Sequence, residues 1–183
     1  MNRHETYQSL LPRVARGAIT ARLLGHPYDP PALPVDLDRP AGVFVTLWEE
    51  GDLRGCIGHI QPLHDHLVDE VVECARLAAL RDPRFAPVRA EELPRLTIEV
   101  SVLTPPEPVE DLDTLDPARW GVVVSCGRRR GVLLPEVHGV DTVEQQLAIA
   151  LRKGGIDQRE PWTVHRFEVL KYEEGTPPTQ GGP

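Results

Sequence analysis

The side chains best suited to chemistry gather in one short stretch, residues 53–58, which read Leu-Arg-Gly-Cys-Ile-Gly. A cysteine acts as a nucleophile or redox group where nearby positive charge favours its thiolate. Arg54 is the nearest cation in the sequence. Residues two apart on a flat strand share a face, so Arg54 and Cys56 are expected side by side unless a bulge at Gly55 separates them. The competing interpretation is a small buried thiol that packs inside a sheet.

Gly55 and Gly58 leave the backbone on either side of Cys56 without side chains. Glycine within a strand is typical of a bulge, or of a place where a ligand comes close to the main chain. Both glycines are therefore predicted to belong to a substrate-binding groove around the thiol. The stretch indicates a site but does not reveal the reaction.

Glu99 is the carboxylate that the pattern places inside a strand of apolar residues. It is predicted to act as a general base or as the partner of Arg54. The alternative is an Arg–Glu ion pair on a partly solvated face of the sheet. Both interpretations place the carboxylate on a strand that neighbours the cysteine.

Two further arginines are candidates for binding an anion. Arg84 follows the central helix in the motif Asp-Pro-Arg-Phe and is predicted to lie at the mouth of the Cys56 groove. The alternative is that this motif only ends the helix. Arg130 ends a run of three arginines that could clamp a phosphate or carboxylate, since arginine pairs with such anions in a bidentate manner. A solvated hairpin turn is the alternative for this run.

Three histidines follow the cysteine at positions 59, 64 and 66. Cysteine and histidine are zinc ligands, so a metal site was considered. His64 and His66 stand two apart at a helix start and point in different directions, however, which favours solvated histidines. The sequence analysis therefore predicts no metal site.

Hydrophobic periodicity defines the elements that position these residues in the first half of the chain. Pro12 suits only the first turn of a helix, so the first helix is expected to begin near Leu11. The predicted elements are a helix over 6–24, a hairpin of strands 43–48 and 53–60, a helix over 64–80 and a strand over 96–103.

The second half repeats the order hairpin, helix, strand, which predicts an internal duplication with halves at about 42–103 and 120–172 in a single domain, 1–174. Arg54-Gly55 corresponds to Arg130-Gly131, whereas Cys56 has no counterpart. Asp141 is predicted to cap the last helix. The remaining predicted elements are strands 121–125 and 130–134, a helix over 142–153, a closing strand over 163–172 and a disordered tail, 175–183.

Composition limits the class of protein. The chain has 183 residues, a net charge of −8 and three cysteines without regular spacing. Nucleic-acid binding is disfavoured because phosphate contacts need surplus positive charge. The cysteine pattern favours a reducing compartment, and the sequence offers neither an apolar signal core nor a bilayer-spanning run. A cytoplasmic protein without membrane contact is expected.

The chain resembles the AMMECR family, whose microbial members are called AmmeMemoRadiSam system protein A. The resemblance rests on motifs that occur in the same order, at residues 44–47, 53–58, 82–88, 98–103, 130–135 and 152–155. The resemblance implies an α+β fold with two lobes built from repeated, mainly antiparallel sheet units flanked by helices. It also implies Memo-like and radical-SAM proteins as partners, whereas it implies no particular activity or cofactor. The family signature falls on Arg54, Gly55, Cys56, Gly58, Arg84, Glu99, Arg130 and Gly131.

Some microbial relatives carry a second cysteine where this chain has Leu151. A two-cysteine redox mechanism is therefore not expected. One hypothesis is an enzyme, or a component of one, that binds a small anionic or nucleotide-like substrate through its arginines, with Cys56 as nucleophile and Glu99 handling protons. The other is a non-catalytic module that binds a partner protein.

Overall fold

The computed structural model describes residues 3–175, with side chains from Leu10 onward. The predicted disordered tail lies outside the described residues, apart from Gly175. The fold is α+β, as expected, with two four-stranded sheets whose described strand pairs are antiparallel. The elements are α1 (Arg3–Leu24), β1 (Val43–Glu49), β2 (Asp52–His59), α2 (Leu67–Leu80), β3 (Leu96–Leu103), β4 (Glu107–Pro108), β5 (Gly121–Cys126), β6 (Arg129–Leu133), α3 (Val143–Gly154), β7 (Thr163–Phe167) and β8 (Val169–Glu173), with short 3-10 helices at Ala90–Arg95 and Leu112–Thr114.

The described residues form two compact units, each with its own hydrophobic core. The first unit comprises residues 3–102 and 171–175, and the second comprises residues 103–170. Among these residues, no helix combines the length and the hydropathy needed to cross a bilayer.

In the first unit the sheet order is β2-β1-β3-β8. The hairpin between β1 and β2 turns at Glu50 and Gly51, which both have positive φ (54° and 92°). A two-residue hairpin turn with positive φ at both positions has a backbone twist that matches the twist of the flanking strands. Helix α2 packs on this hairpin, and α1 packs on α2. The inner face of β1, formed by Val43, Val45 and Leu47, is completely buried.

In the second unit the sheet order is β6-β5-β7-β4, and α3 packs on the β5–β6 hairpin. The sequence predicts Asp141 as the cap of α3, but the cap is Thr142. The Thr142 hydroxyl accepts the Gln145 N–H, and the Gln145 side chain accepts the Thr142 N–H. This reciprocal pair satisfies two backbone donors at once, which gives Thr142 the advantage over its acidic neighbour.

The two sheets share one topology, β2-β1-β3 and β6-β5-β7. In each, two strands form a hairpin, and a third strand pairs with the first strand of that hairpin. Gly55 faces Leu47 in the first hairpin, and Gly131 faces Val124 in the second. This agrees with the Arg-Gly correspondence, while the duplication itself stays a prediction. Across the third strand of each sheet, Leu47 pairs with Ile98 on β3 and Val124 pairs with Val164 on β7.

The predicted strand 163–172 is two strands that belong to different sheets. Glu168 separates them: its N–H donates to Thr104 Oγ1 at 2.9 Å and its carbonyl accepts the Thr104 N–H at 2.9 Å. Because both backbone groups of Glu168 are used outside the ladders, one strand ends here and the next begins.

Two helix starts also differ from the prediction. Helix α1 begins at Arg3 and contains Pro12 within it. Helix α2 begins at Leu67, three residues late, because the N–H groups of Leu63 and His64 donate to the Glu70 carboxylate at 2.8 and 3.0 Å. These bonds hold the chain in a bend before the helix.

Candidate functional site

The backbone of Cys56 is held by a buried carboxylate. Asp82, whose side chain is 2 % exposed, accepts the Cys56 N–H through Oδ2 at 2.8 Å. Asp82 also accepts Arg84 Nη2 at 2.7 Å and Nε at 3.0 Å. Arg84 Nη2 in turn donates to the Cys56 carbonyl at 3.2 Å. The hydrogen bonds from the Arg84 guanidinium hold the pKa of Asp82 well below its usual range.

Cys56 is a partly exposed residue whose thiol has a hydroxyl neighbour. Thr46 Oγ1 lies 3.3 Å from Cys56 Sγ and donates to it. Thr46 is the cross-strand partner of both Cys56 on β2 and Glu99 on β3, so the three side chains form one row on one face of the sheet. Gly55 belongs to the opposite face, which α2 covers.

Glu99 lies two strands away from Cys56, about 10 Å at the backbone from the usual strand spacing. Its Oε1 accepts the Ser101 hydroxyl at 3.2 Å. Thr46 stands between the carboxylate and the thiol. Thr46 is itself only 7 % exposed, so the carboxylate and the thiol do not meet directly along this row.

Arg54 is engaged by other carboxylates. Its Nε donates to Glu92 Oε1 at 2.8 Å, and Glu49 Oε2 lies at 3.9 Å. Within residues 10–175 no hydrogen bond or ion pair joins Arg54 to Glu99, the partner that the sequence suggested. Hydrogen bonds from Arg54 are the main reason that the pKa of Glu92 is lowered.

The sheet register explains why Arg54 turns away. Leu47 pairs with Gly55 and Trp48 pairs with Leu53, which leaves Arg54 without a partner as the extra residue of a bulge. A bulge redirects the side chains of the strand that contains it. The alternation on which the predicted Arg54–Cys56 pairing depended is broken at this point.

The space beside both glycines of the motif is occupied by the protein itself. A Cβ at Gly55 would overlap the carbonyl oxygen of Ala78 on α2, and one at Gly58 would overlap the Phe44 ring and the carbonyl of Val43. Their role in this structure is close packing between elements. Neither Cβ position faces an open groove.

Arg84 lies beside Cys56, although the link runs through the backbone of Cys56 and through Asp82. Its side chain is 54 % exposed, and its guanidinium carbon lies 5.4 Å from the centre of the Phe85 ring. Asp82 itself was not assigned a role from the sequence. The Asp-Pro-Arg-Phe motif indicates a helix stop, but a carboxylate just after a helix gives no local sign that it binds a backbone 26 positions away.

Arg130 lies in the second unit, at an exposed position of β6. Its neighbour Arg129 forms an ion pair with Glu160, and Arg129 Nη2 lies 3.7 Å from Cys126 Sγ. The anion clamp predicted for the run 128–130 stays a prediction.

The three histidines separate in space. His64 pairs with Glu73 and His66 with Asp38, each at 2.8 Å. His59 Nδ1 lies 2.6 Å from Glu70 Oε1 and 3.6 Å from Cys74 Sγ. These last three side chains could hold a metal ion, since one ligand atom from each lies within 4.8 Å of the others.

The fold and the site together define an α+β protein in which an Asp-Pro-Arg turn holds an Arg-Gly-Cys strand. The AMMECR1 family model matches residues 12–176, nearly the whole chain, and the protein therefore belongs to the AMMECR1 family.

Relatives in bacteria and archaea agree with this assignment. A Thermotoga maritima protein is 48 % identical over 137 residues, which cover 74 % of this chain and 79 % of that protein. A Methanothermobacter thermautotrophicus protein is 44 % identical over 179 residues, covering 90 % and 92 %. A Clostridium acetobutylicum protein is 46 % identical over 75 % of this chain, but the match covers only 29 % of that longer protein.

A solved structure shows a similar fold. The crystal structure of the uncharacterised protein PH0010 from Pyrococcus horikoshii matches with a TM-score of 0.81 and 35 % identity over 94 % of each chain.

Proposed function

We propose that this protein is a cysteine-centred enzyme, or a component of one, that acts on a small anionic or nucleotide-like substrate at the outer face of β1–β3. Cys56 is the nucleophile, Arg84 binds the anion, and Glu99 handles protons. One observation carries the proposal: Asp82 anchors both the backbone of Cys56 and an exposed guanidinium, so that cation and thiol belong to one rigid unit.

The arrangement around the thiol suits a nucleophile. Cys56 as a residue is partly exposed, and its sulfur receives a hydrogen bond from Thr46, which is a donor that a thiolate can use. The strand that carries Cys56 is paired and held by Asp82, so little conformational entropy is lost when a substrate binds. Catalytic groups held in this way act more efficiently than groups on mobile loops.

The two arginines of the proposal differ in availability. Arg84 is 54 % exposed, whereas Arg54 is 15 % exposed and paired with Glu92. Arg84 is therefore the principal anion contact. Glu99, at the far end of the row, acts on the substrate and not on the thiol.

The nucleophile is tested by alkylation with iodoacetamide at neutral pH, with the rate at each cysteine read by peptide mass spectrometry. Cys56 should react faster than Cys126, which is also partly exposed. Cys74 is fully buried, its pKa is raised to about 12 by burial, and it sets the slow limit. A rate at Cys56 as slow as that at Cys74 would remove the nucleophile.

The anion site is tested by protection from alkylation. Pyrophosphate or adenosine monophosphate should slow the reaction at Cys56 in the wild type, and Arg84→Gln should abolish this protection. Arg81→Gln is the matched control. Arg81 is exposed and lies three residues from Arg84, and its substitution removes the same charge. Equal protection in both variants would contradict the role of Arg84.

A second candidate function is a non-catalytic module that binds Memo-like and radical-SAM proteins. It is favoured by the pairing of Arg54 with Glu92, which reduces the charge available to a small anion. Sedimentation of the purified proteins together would test it. A complex that survives Cys56→Ser would support a module, whereas the absence of any complex would count against it.

A further inference from the structure

A second cluster of reactive side chains lies where the end of β2 meets α2. Glu70 and Cys74 are both 0 % exposed and stand four apart on α2, which places them on one face of the helix. His59, the last residue of β2, reaches both of them. The proposed function does not use any of these residues.

The distances suit a common ligand. Nδ1 of His59 lies 2.6 Å from Oε1 of Glu70, and Sγ of Cys74 lies 3.6 Å from Nδ1 and 3.9 Å from Oε1. With usual bond lengths, a tetrahedral zinc ion separates such ligand atoms by about 3.4–3.6 Å. The two separations that involve sulfur are close to this, and the His59–Glu70 pair must open by about 1 Å.

The carboxylate is already oriented for this role. Its other oxygen, Oε2, accepts the N–H groups of Leu63 and His64, which leaves Oε1 directed at the cluster. Bonds of this kind fix a metal ligand in place. The Glu70 carboxylate is fully buried, and a divalent cation would place a further positive charge beside it.

We infer that His59, Glu70 and Cys74 form a divalent-metal site of the zinc class. A nitrogen, an oxygen and a sulfur donor together match zinc better than magnesium or calcium, which take oxygen ligands. Binding breaks the His59–Glu70 hydrogen bond and leaves His59 as the tautomer that carries its proton on Nε2. The Cys74 thiol proton passes to solvent. The His59 side chain is 24 % exposed, so one ligand of the cluster reaches the surface.

The test uses the full chain, freed of metal by a chelator and titrated with zinc against an indicator dye. The wild type should bind one equivalent. Cys74→Ser and His59→Gln should each weaken binding by about tenfold or more. Cys56→Ser and Cys126→Ser are the matched controls and should bind as the wild type does.

Cobalt titration gives a second, spectroscopic readout of the same site. A thiolate ligand produces a charge-transfer absorption band with cobalt, which is expected in the wild type and in Cys126→Ser and should be absent in Cys74→Ser. The inference is overturned if the wild type binds no zinc, or shows no such band. It is also overturned if Cys74→Ser, folded by circular dichroism, binds zinc as tightly as Cys126→Ser.

Discussion

The carboxylate of Asp82 accepts the backbone N–H of Cys56 at 2.8 Å, across 26 positions of the chain. The same carboxylate holds the guanidinium of Arg84, which donates back to the Cys56 carbonyl. The cysteine is thus held at both of its backbone polar groups by one Asp–Arg pair. This relationship joins the end of α2 to the motif strand and determines where the thiol lies.

Replacing Asp82 with asparagine should destabilise the protein by about 2 kcal/mol, because hydrogen bonds to a charged group are lost or weakened. Urea denaturation monitored by tryptophan fluorescence measures the change. Asp65→Asn, at an exposed position, is the control and should change stability by less than about 0.5 kcal/mol. Equal midpoints for the two variants would show that Asp82 is not the anchor.

The contribution of Asp82 should also depend on pH. Its pKa is lowered in the folded protein by the Arg84 hydrogen bonds, so the unfolded chain binds the proton more tightly. The stabilisation is present above the unfolded pKa of about 4 and is lost as the pH falls through the folded value. The stability difference between wild type and Asp82→Asn should stay constant near neutral pH and shrink below about pH 4. A difference that grows on acidification would contradict this assignment.

Gly55→Ala should cost about 3 kcal/mol or more, since the new methyl group would overlap the backbone carbonyl of Ala78. Gly131→Ala is expected to behave alike, because its Cβ would overlap the carbonyl of Ala150. Gly51→Ala is the comparison: its φ is 92° in open space, so it should lose only about 1–2 kcal/mol. Denaturation curves for the three variants decide between close packing and backbone freedom as the reason for the glycines.

Glu92→Gln should free the charge of Arg54 while keeping an oxygen that can accept the Arg89 N–H. If Arg54 belongs to the anion site, pyrophosphate should then protect Cys56 from alkylation at a severalfold lower concentration. Glu91→Gln, an exposed neighbour, removes the same charge and serves as control. Unchanged protection in Glu92→Gln would exclude Arg54 from the site.

Local pattern was sufficient for most of the elements. Strand β3 occupies residues 96–103 as predicted, because four apolar residues alternate there with a polar face. Boundaries shifted where a distant group competes for the backbone. Glu70 delays α2, and Thr104 divides the last predicted strand at Glu168.

The candidate site was predictable only in part. The cysteine and the glycines stand in one short motif, and Arg84 stands in a second motif 28 positions away. Asp82 and Glu92 were not assigned because their partners, Cys56 and Arg54, lie 26 and 38 positions away. His59 was considered with the neighbouring histidines, whereas its contacts lie on the buried face of α2.

The sequence by itself determined the α+β class, the order of hairpin, helix and strand in each half, and the membership of the AMMECR1 family. These three properties depend on hydrophobic periodicity and on short motifs, which are present in the linear sequence. Only the tertiary structure decided which carboxylate meets which cation. Ion pairs and backbone anchors depend on how elements pack. The bulge in β2 breaks the alternation and Arg54 pairs with Glu92, while Asp82 holds Arg84 beside Cys56.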